Sequence, residues 1–214
     1  MSPPGRPKGE YRSAQHEGTP ETPPGRPKGD NRSTQHEGTP VSALSSELFT
    51  VGDLRVVPMT VGDLDQVMAV EAGAYSFPWS RGNFIDSMAA GYVMDMLVRR
   101  TDGDLVGYYA AMPGVDELHL LNFTVAPAFQ RRGHALTLLG LVQARARRLM
   151  LASIWLEVRL SNERAQAVYR RWGFVQNGLR RGYYPAAGGR REDAVVMMWQ
   201  LPHDGAQDDR HGLA

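Results

Sequence analysis

The sequence predicts an α/β domain, a mixed sheet with helices on its faces, and three observations carry that reading. Short apolar runs with period-two alternation are interleaved with segments of helical spacing. Three strand-like runs follow one another in the middle of the chain, the first two separated by a hairpin-type turn. A glycine-containing hinge then joins the third of them to an amphipathic helix. The resulting order is β-α-α-β-β-β-α-β-α-β-β.

Each element has a local signature. "DLRVVPMT" (53–60) is the first strand. "VGDLDQVMAVEAGAY" (61–75) sets Leu64, Val67, Met68 and Val70 near helical spacing behind Asp63 as a cap. "SRGNFIDSMAA" (80–90) opens on a Ser cap and reads as a second helix. "YVMDMLVRR" (92–100) and "DLVGYYAAM" (104–112) flank the turn "TDGD" as a hairpin, and "ELHLLNFTVAP" (117–127) ends as a strand at Pro127. "ALTLLGLVQARARRLM" (135–150) is a helix with its arginines on one side. "SIWLEVRL" (153–160) is an apolar strand, and "SNERAQAVYRRWG" (161–173) has a Ser or Asn start, a helical body and a Gly stop. "FVQNGLRR" and "DAVVMMWQL" close the domain as strands.

At 214 residues the chain holds one domain with a sizeable core once its ends are set aside. The domain is expected over 46–202. "PPGRPKGEYRSAQHEGTP" at 3–20 returns as "PPGRPKGDNRSTQHEGTP" at 23–40, too poor in aliphatics to offset the entropy of ordering, so 1–45 is expected to be disordered. The polar close at 203–214 reads the same way. The repeat contains Gly-Arg-Pro, the core of minor-groove hooks, but most of the flanking basic residues of a full hook are missing. A passive duplicated tail is the expectation, and nucleic-acid contact is not.

Composition excludes several classes. With 24 Lys+Arg against 23 Asp+Glu the net charge is +1, so any basic site must be local. The absence of Cys rules out a disulfide scaffold, thiolate zinc sites and a cysteine nucleophile, and the cytoplasm is the simplest home. The first thirty residues contain no apolar core of an export signal, and no run approaches the roughly eighteen apolar residues of a membrane span. Neither a membrane partner nor a metal is expected.

Two constellations carry chemistry. In "VAPAFQRRGHALTLLG" (125–140) a strand end, a loop and a helix start would aim unpaired backbone N–H groups and the positive end of a helix dipole at one point. Gly133 permits close approach there, while Arg131 and Arg132 add charge-assisted contacts suited to a diphosphate. On these residues alone a basic loop before a core helix explains the pattern equally well, and neither a Walker loop nor a dinucleotide fingerprint is present. In "WLEVRLSN" (155–162), Trp155, Glu157 and Arg159 share one face of the strand, and Ile154, Leu156 and Val158 the other. A carboxylate in so apolar a strand is costly unless paired or functional, so Glu157 is either a structural ion pair, with Arg159 or a neighbouring strand, or a working group. For Asn162 the plain role is a helix cap, and for Tyr169 a place in the core.

The hinge "QRRGHA" resembles the Q/R-x-x-G-x-G/A acyl-CoA pyrophosphate loop of the GNAT acetyltransferase superfamily, whose element order is the one predicted here. Together "FPWS" (77–80), "LEVRLSN", "VYRRWGF", "RRGYYP" (180–185) and "REDAVVM" (191–197) resemble the ribosomal-protein-alanine N-acetyltransferase family over about 53–200. The resemblance implies acetyl-CoA as co-substrate. It implies a pantetheine arm paired with the backbone of Phe123, Thr124 and Val125, and a pyrophosphate held by Arg131, Arg132, Gly133, His134, Ala135 and Leu136. Asn162 then contacts the cofactor, Glu157 is general base and Tyr169 general acid. Ala135, in place of the loop's second glycine, stays within the superfamily pattern.

The implied acceptor is the N-terminal peptide of a ribosomal protein, alanine first, of the small-subunit S18 type. Phe77, Trp79 and Tyr184 would line its groove, although Phe77, Trp79, Tyr183 and Tyr184 can also be packing aromatics. Glu192 and Asp193 are expected to position backbone or to pair with Arg180 and Arg181. A peptide α-amine has a pKa of about 7.7–8.0, so a weak base suffices near neutral pH. The alternative within the superfamily is acetylation of lysine side chains or small amines, where a pKa near 10.4 demands a stronger deprotonation route.

Overall fold

The computed structural model describes residues 50–202; the expected tails at 1–45 and 203–214 lie outside the described residues. Strands β1 (Thr50–Val51), β2 (Leu54–Pro58), β3 (Val93–Arg99), β4 (Leu105–Pro113), β5 (Glu117–Val125), β6 (Ser153–Arg159), β7 (Val175–Pro185) and β8 (Arg191–Gln200) form one sheet. Their order in space is β1-β2-β3-β4-β5-β6-β8-β7. Helices α1 (Leu64–Ala74), α2 (Arg81–Ala89), α3 (His134–Arg148) and α4 (Glu163–Trp172) cover its faces. Apart from the two-residue β1, this is the order the sequence predicts.

Every neighbouring pair is antiparallel except β5 and β6. That exception follows from α3, a crossover long enough to return the chain in the same direction. The β7–β8 hairpin then folds back so that β8 pairs with β6 and leaves β7 at the edge.

The two faces have separate cores. Leu138, Leu139 and Val142 of α3 pack on Leu118, Ile154 and Leu156. Leu64 and Val67 of α1 and Phe84 of α2 pack on Met96 and Tyr108. Each of these side chains is removed from water almost completely, a gain of about 1.5–3 kcal/mol apiece for the aliphatic, Phe and Met side chains before chain entropy is counted.

Local chemistry explains the helix starts, with one correction. Ser80 caps α2 by accepting from the Asn83 amide at 3.2 Å. Asp63, expected to cap α1, instead accepts from the Thr60 amide at 2.9 Å, closing a 3-10 turn over Val61–Asp63 that precedes the helix. The arginines of α3 also divide. Arg147 and Arg148 are exposed. Arg145 turns inward and holds both carboxylate oxygens of Asp95 at 3.0 and 2.9 Å, where Tyr109 donates as well. Asp95 is thus a buried carboxyl group with a partner on each oxygen.

Two irregularities interrupt the regular sheet. Ala110 pairs with Asn122 and Ala111 with Leu120, so Leu121 is an extra residue in β5. β7 runs on to Pro185, beyond its expected end near 181, because a register shift between Arg180 and Tyr184 absorbs the left-handed turn at Gly182 (φ 56°).

Candidate active site

The site begins where β5 and β6 part. Their pairing covers only Glu117 to Leu120 against Ser153 to Leu156. Beyond the bulge β5 stays with β4 as far as Val125, and β6 stays with β8 as far as Arg159. A wedge therefore opens in the middle of the sheet, with backbone groups of Phe123 to Val125 on one wall. The Ala126 amide donates to the Val106 carbonyl at 2.9 Å. By the alternation of an antiparallel ladder, Thr124 also turns its backbone toward β4 while Phe123 and Val125 turn theirs into the wedge. Both of those carbonyls have side-chain donors: Tyr75 Oη lies 3.0 Å from the Phe123 oxygen and Gln130 Nε2 3.1 Å from the Val125 oxygen.

At the end of β5 the chain makes a 3-10 turn over Pro127–Phe129 and enters the hinge. Arg131 and Gly133 take positive φ, 63° and 87°, which glycine adopts without strain and arginine rarely does. Among the described residues the amides of Arg131, Arg132, Gly133, His134 and Ala135 have no acceptor, while those of Gln130 and Leu136 are used by the turns on either side. The expected contribution of Leu136 is corrected in this respect, since its amide donates to the Gly133 carbonyl at 2.8 Å. A run of free N–H groups at the start of a fifteen-residue helix is an anion cradle. Arg131 and Arg132 are exposed beside it. Arg132 also sits 5.8 Å above the Phe129 ring, and partial burial with the nearby Arg132 charge holds the His134 imidazole below its usual pKa. A Cβ on Gly133 would meet nothing within 4 Å, so the cradle is open.

On the opposite wall, β6 turns Glu157 toward the α1/α2 face as its period-two pattern requires. Its side chain is only 5 % exposed, and each oxygen has a partner: His119 Nε2 of β5 at 2.6 Å and Arg180 Nη1 of β7 at 3.1 Å. Arg159 is not that partner. It lies 3.1 Å from Glu192, which also accepts from the Ser161 amide at 2.7 Å, and Asp193 accepts from the Gly182 amide at 2.7 Å. Both acidic residues thus take the first of the two roles expected of them, positioning backbone, and Glu192 pairs in addition with Arg159.

Tyr169 of α4 is buried, its ring edge-on to Phe123 at 6.0 Å and to Phe174 at 5.6 Å. Burial pushes its hydroxyl above the usual tyrosine range and the neighbouring Tyr75 adds to this, so Tyr169 keeps its proton through neutral pH. Burial raises Tyr75 in the same way, to about 12. Asn162 caps α4, its Oδ1 accepting from the Ala165 amide at 3.1 Å. It is exposed, and the cap leaves its amide nitrogen available.

The aromatics divide between groove and core. Phe77, 40 % exposed, and Tyr184 flank the guanidinium of Arg159, which lies 5.5 Å from one ring centre and 4.5 Å from the other. Tyr184 donates to the Glu157 carbonyl at 2.9 Å, tying the groove to the strand of the carboxylate. Trp79 is corrected: it is 7 % exposed and packs edge-on against Phe84 at 5.2 Å, so it anchors the loop from beneath. Sequence reasoning missed Tyr75, His119 and the pair formed by Glu71 and Asn122. Only the oddity of a polar residue inside an apolar stretch ("ELHLLNF", "VMAVEAG") pointed to His119 and Glu71. Among the described residues no group of His, Asp and Glu is arranged to hold a metal ion, and no helix is long and apolar enough to cross a membrane.

A splayed parallel pair, a run of free amides at the following helix and a buried carboxylate across the gap thus lie together in the middle of the sheet. Residues 64–174 match the acetyltransferase (GNAT) family, and the chain belongs to it. It is 35 % identical over 140 residues to the [ribosomal protein bS18]-alanine N-acetyltransferase of Haemophilus ducreyi, spanning 65 % of this chain and 94 % of that one. The crystal structure of the ribosomal-protein-S18-alanine N-acetyltransferase from Escherichia coli superimposes with a TM-score of 0.65 at 31 % identity, over 72 % of this chain and 97 % of that one. Ard1 from Thermoplasma volcanium, at 19 % identity and a TM-score of 0.62, shares the fold. The protein is an N-acetyltransferase, similar along nearly the whole length of these relatives to the enzymes that act on ribosomal-protein alanine.

Proposed function

We propose that the protein transfers the acetyl group of acetyl-CoA to the N-terminal alanine of a small-subunit ribosomal protein of the S18 type. The observation that carries this reading is the wedge itself. A buried carboxylate stands on the wall that faces the aromatic groove, and the free amides of the hinge stand at the other end. The names and extent of the relatives support the acceptor class. The domain responsible is 46–202, and a cytoplasmic setting goes with such an acceptor.

Acetyl-CoA fits the residues present. Arg131 to Ala135 would hold its pyrophosphate, Phe123 and Val125 its pantetheine arm, and Asn162 adds a side-chain contact. The thioester supplies an activated carbonyl. Phe77 and Tyr184 admit the peptide, and Glu157 accepts a proton from the α-ammonium, directly or through water, as the amine attacks. Because the amine's pKa is about 7.7–8.0, its free form is within reach near neutral pH, and orientation does much of the work. Backbone amides at Val125 polarise the carbonyl oxygen. Tyr169 remains a hydroxyl and donates to the departing sulfur. No covalent intermediate is involved.

Turnover of acetyl-CoA on a panel of N-terminal hexapeptides, with the product's acetyl group located by mass spectrometry, tests this. Acetyl on the α-nitrogen of alanine-first peptides is the expected result. Acetyl on lysine ε-nitrogens or on small amines alone would reject it in favour of the broader family activity.

A further inference from the structure

We propose that Tyr75 orients the acceptor amine, its phenol oxygen accepting one N–H of that amine once the cofactor lies in the wedge; this rests on acetyl-CoA as the cofactor there. Tyr75 stands between α1 and the loop that carries Phe77, and its hydroxyl reaches the β5 wall at the Phe123 carbonyl. The Tyr169 ring packs on the Phe123 ring, and across the gap Tyr184 is tied to the Glu157 carbonyl. By the alternation that turns Phe123 and Val125 into the wedge, the Val125 amide is the next group along the wall after the Phe123 carbonyl. A thioester carbonyl polarised at Val125 would therefore lie beside Tyr75 Oη.

The hydrogens around Tyr75 are one too few for their acceptors. Its single hydroxyl hydrogen faces the Phe123 carbonyl oxygen at 3.0 Å and Thr124 Oγ1 at 2.9 Å. Thr124 does not donate in return. Its own hydrogen goes to Asn122 Oδ1 at 2.9 Å, and that amide is oriented by Nδ2, which donates to the Glu71 carboxyl group at 2.6 Å. Among the described residues no donor other than Tyr75 lies at hydrogen-bonding distance from Thr124 Oγ1. Burial pushes the phenol pKa up to about 12, so the count holds through neutral pH.

An N–H of the pantetheine arm at Phe123 makes good the shortfall, and the phenol hydrogen then settles on Thr124. Tyr75 Oη and the Phe123 oxygen are left 3.0 Å apart with no hydrogen between them, two negative ends that repel. A donor arriving from the wedge relieves this, and a cationic ammonium does so best. Holding one N–H of the nitrogen at Tyr75 restricts the directions from which its lone pair attacks. Tyr75 touches the reacting nitrogen in this scheme, and no proton moves onto or off its oxygen.

In the full-length enzyme, Tyr75→Phe should lower kcat/KM for an alanine-first hexapeptide by about 10- to 100-fold, while acetyl-CoA binds at least as tightly by calorimetry. A general loss of structure would not move the two in opposite directions. Thr124→Val keeps the shape of the side chain and removes the second acceptor, so the phenol hydrogen stays on Phe123 and acetyl-CoA affinity should fall roughly two- to ten-fold. In the double variant no phenol hydrogen competes, and that loss should vanish. A peptide kcat/KM for Tyr75→Phe within about two-fold of wild type, weaker acetyl-CoA binding in that variant, or a double variant that binds as weakly as Thr124→Val alone would each overturn the proposal. If a melting curve shows Thr124→Val unfolded, the two measurements on Tyr75→Phe decide. If the wild type acetylates only small amines, the peptide reading fails separately, and the same comparison on that amine tests Tyr75 with the same outcomes.

Discussion

The Tyr75 hydroxyl lies 3.0 Å from the Phe123 carbonyl oxygen and 2.9 Å from Thr124 Oγ1, so the free enzyme already satisfies a backbone acceptor that faces the wedge. If the pantetheine arm pairs at Phe123, its amide must compete with that hydroxyl. Tyr75→Phe keeps the ring and removes the competitor, a net hydrogen bond of about 0.5–1.5 kcal/mol. Acetyl-CoA should then bind about two- to ten-fold more tightly by calorimetry. Weaker binding in this variant would count against pairing at Phe123.

Glu157 and Tyr169 should separate binding from chemistry. Glu157→Gln preserves shape on a strand whose other face is core, and its kcat on an alanine-first peptide should fall by about 10²–10⁴-fold. Tyr169→Phe leaves the ring stack on Phe123 and Phe174 intact and should also lower kcat. In both, the acetyl-CoA dissociation constant should change little, because neither side chain belongs to the hinge. Steady-state kinetics with calorimetry checks this, and retained turnover in both variants would sink the assignment.

The hinge makes the converse prediction. Replacing Arg131 or Arg132 with Gln should raise the acetyl-CoA KM more than it lowers kcat, and the loss should deepen with salt. Gly133→Ala meets no atom within 4 Å, so its cost is conformational, about 1–2 kcal/mol for an L-residue held at φ 87°. Weaker acetyl-CoA binding with unchanged peptide KM is expected. Equal effects on both substrates would show that the hinge serves the whole site.

Much of the fold was legible from periodicity. Alternation in "SIWLEVRL" puts Glu157 on the face opposite Leu156 and Val158, and the apolar spacing of "ALTLLGLV" turns Leu138, Leu139 and Val142 to the sheet, as found. What eluded the sequence depends on register between distant segments. His119 and Glu157 are 38 positions apart and meet because β5 and β6 are parallel neighbours. The extra residue at Leu121 that opens the wedge sits in "LHLLNF", where period two hides it. Trp79 reads as a loop aromatic until α2 brings Phe84 over it.

Arg159 joins the two walls of the groove. It stacks on Phe77 and Tyr184 and donates to the Pro185 carbonyl at 2.9 Å, so one guanidinium holds the α1–α2 loop, β6 and β7 together. Lysine has no planar fork to stack and donate at once. Arg159→Lys should raise the peptide KM about ten-fold or more while acetyl-CoA affinity stays near wild type. A uniform loss of both would mean a general folding defect, which a melting curve identifies.

Glu71 links stability to pH. It is fully buried in α1, accepting from Asn122 Nδ2 at 2.6 Å and from the Trp79 amide at 3.3 Å, while its second oxygen has no hydrogen-bond partner among the described residues. Burial pushes its pKa up against the pull of those donors. The native state therefore holds this proton more tightly than the unfolded chain does. Its contribution is fully present below the unfolded carboxyl value of about 4.3 and is lost as pH rises through the raised native value. Glu71→Gln keeps an acceptor for Asn122 and Trp79 and cannot ionise, so that slope should disappear. Urea unfolding at closely spaced pH values from 4 to 8 should show the variant gaining on the wild type as pH rises. Parallel curves would mean that Glu71 holds the same charge in both states and that Asn122 and Trp79, not its proton, secure the loop.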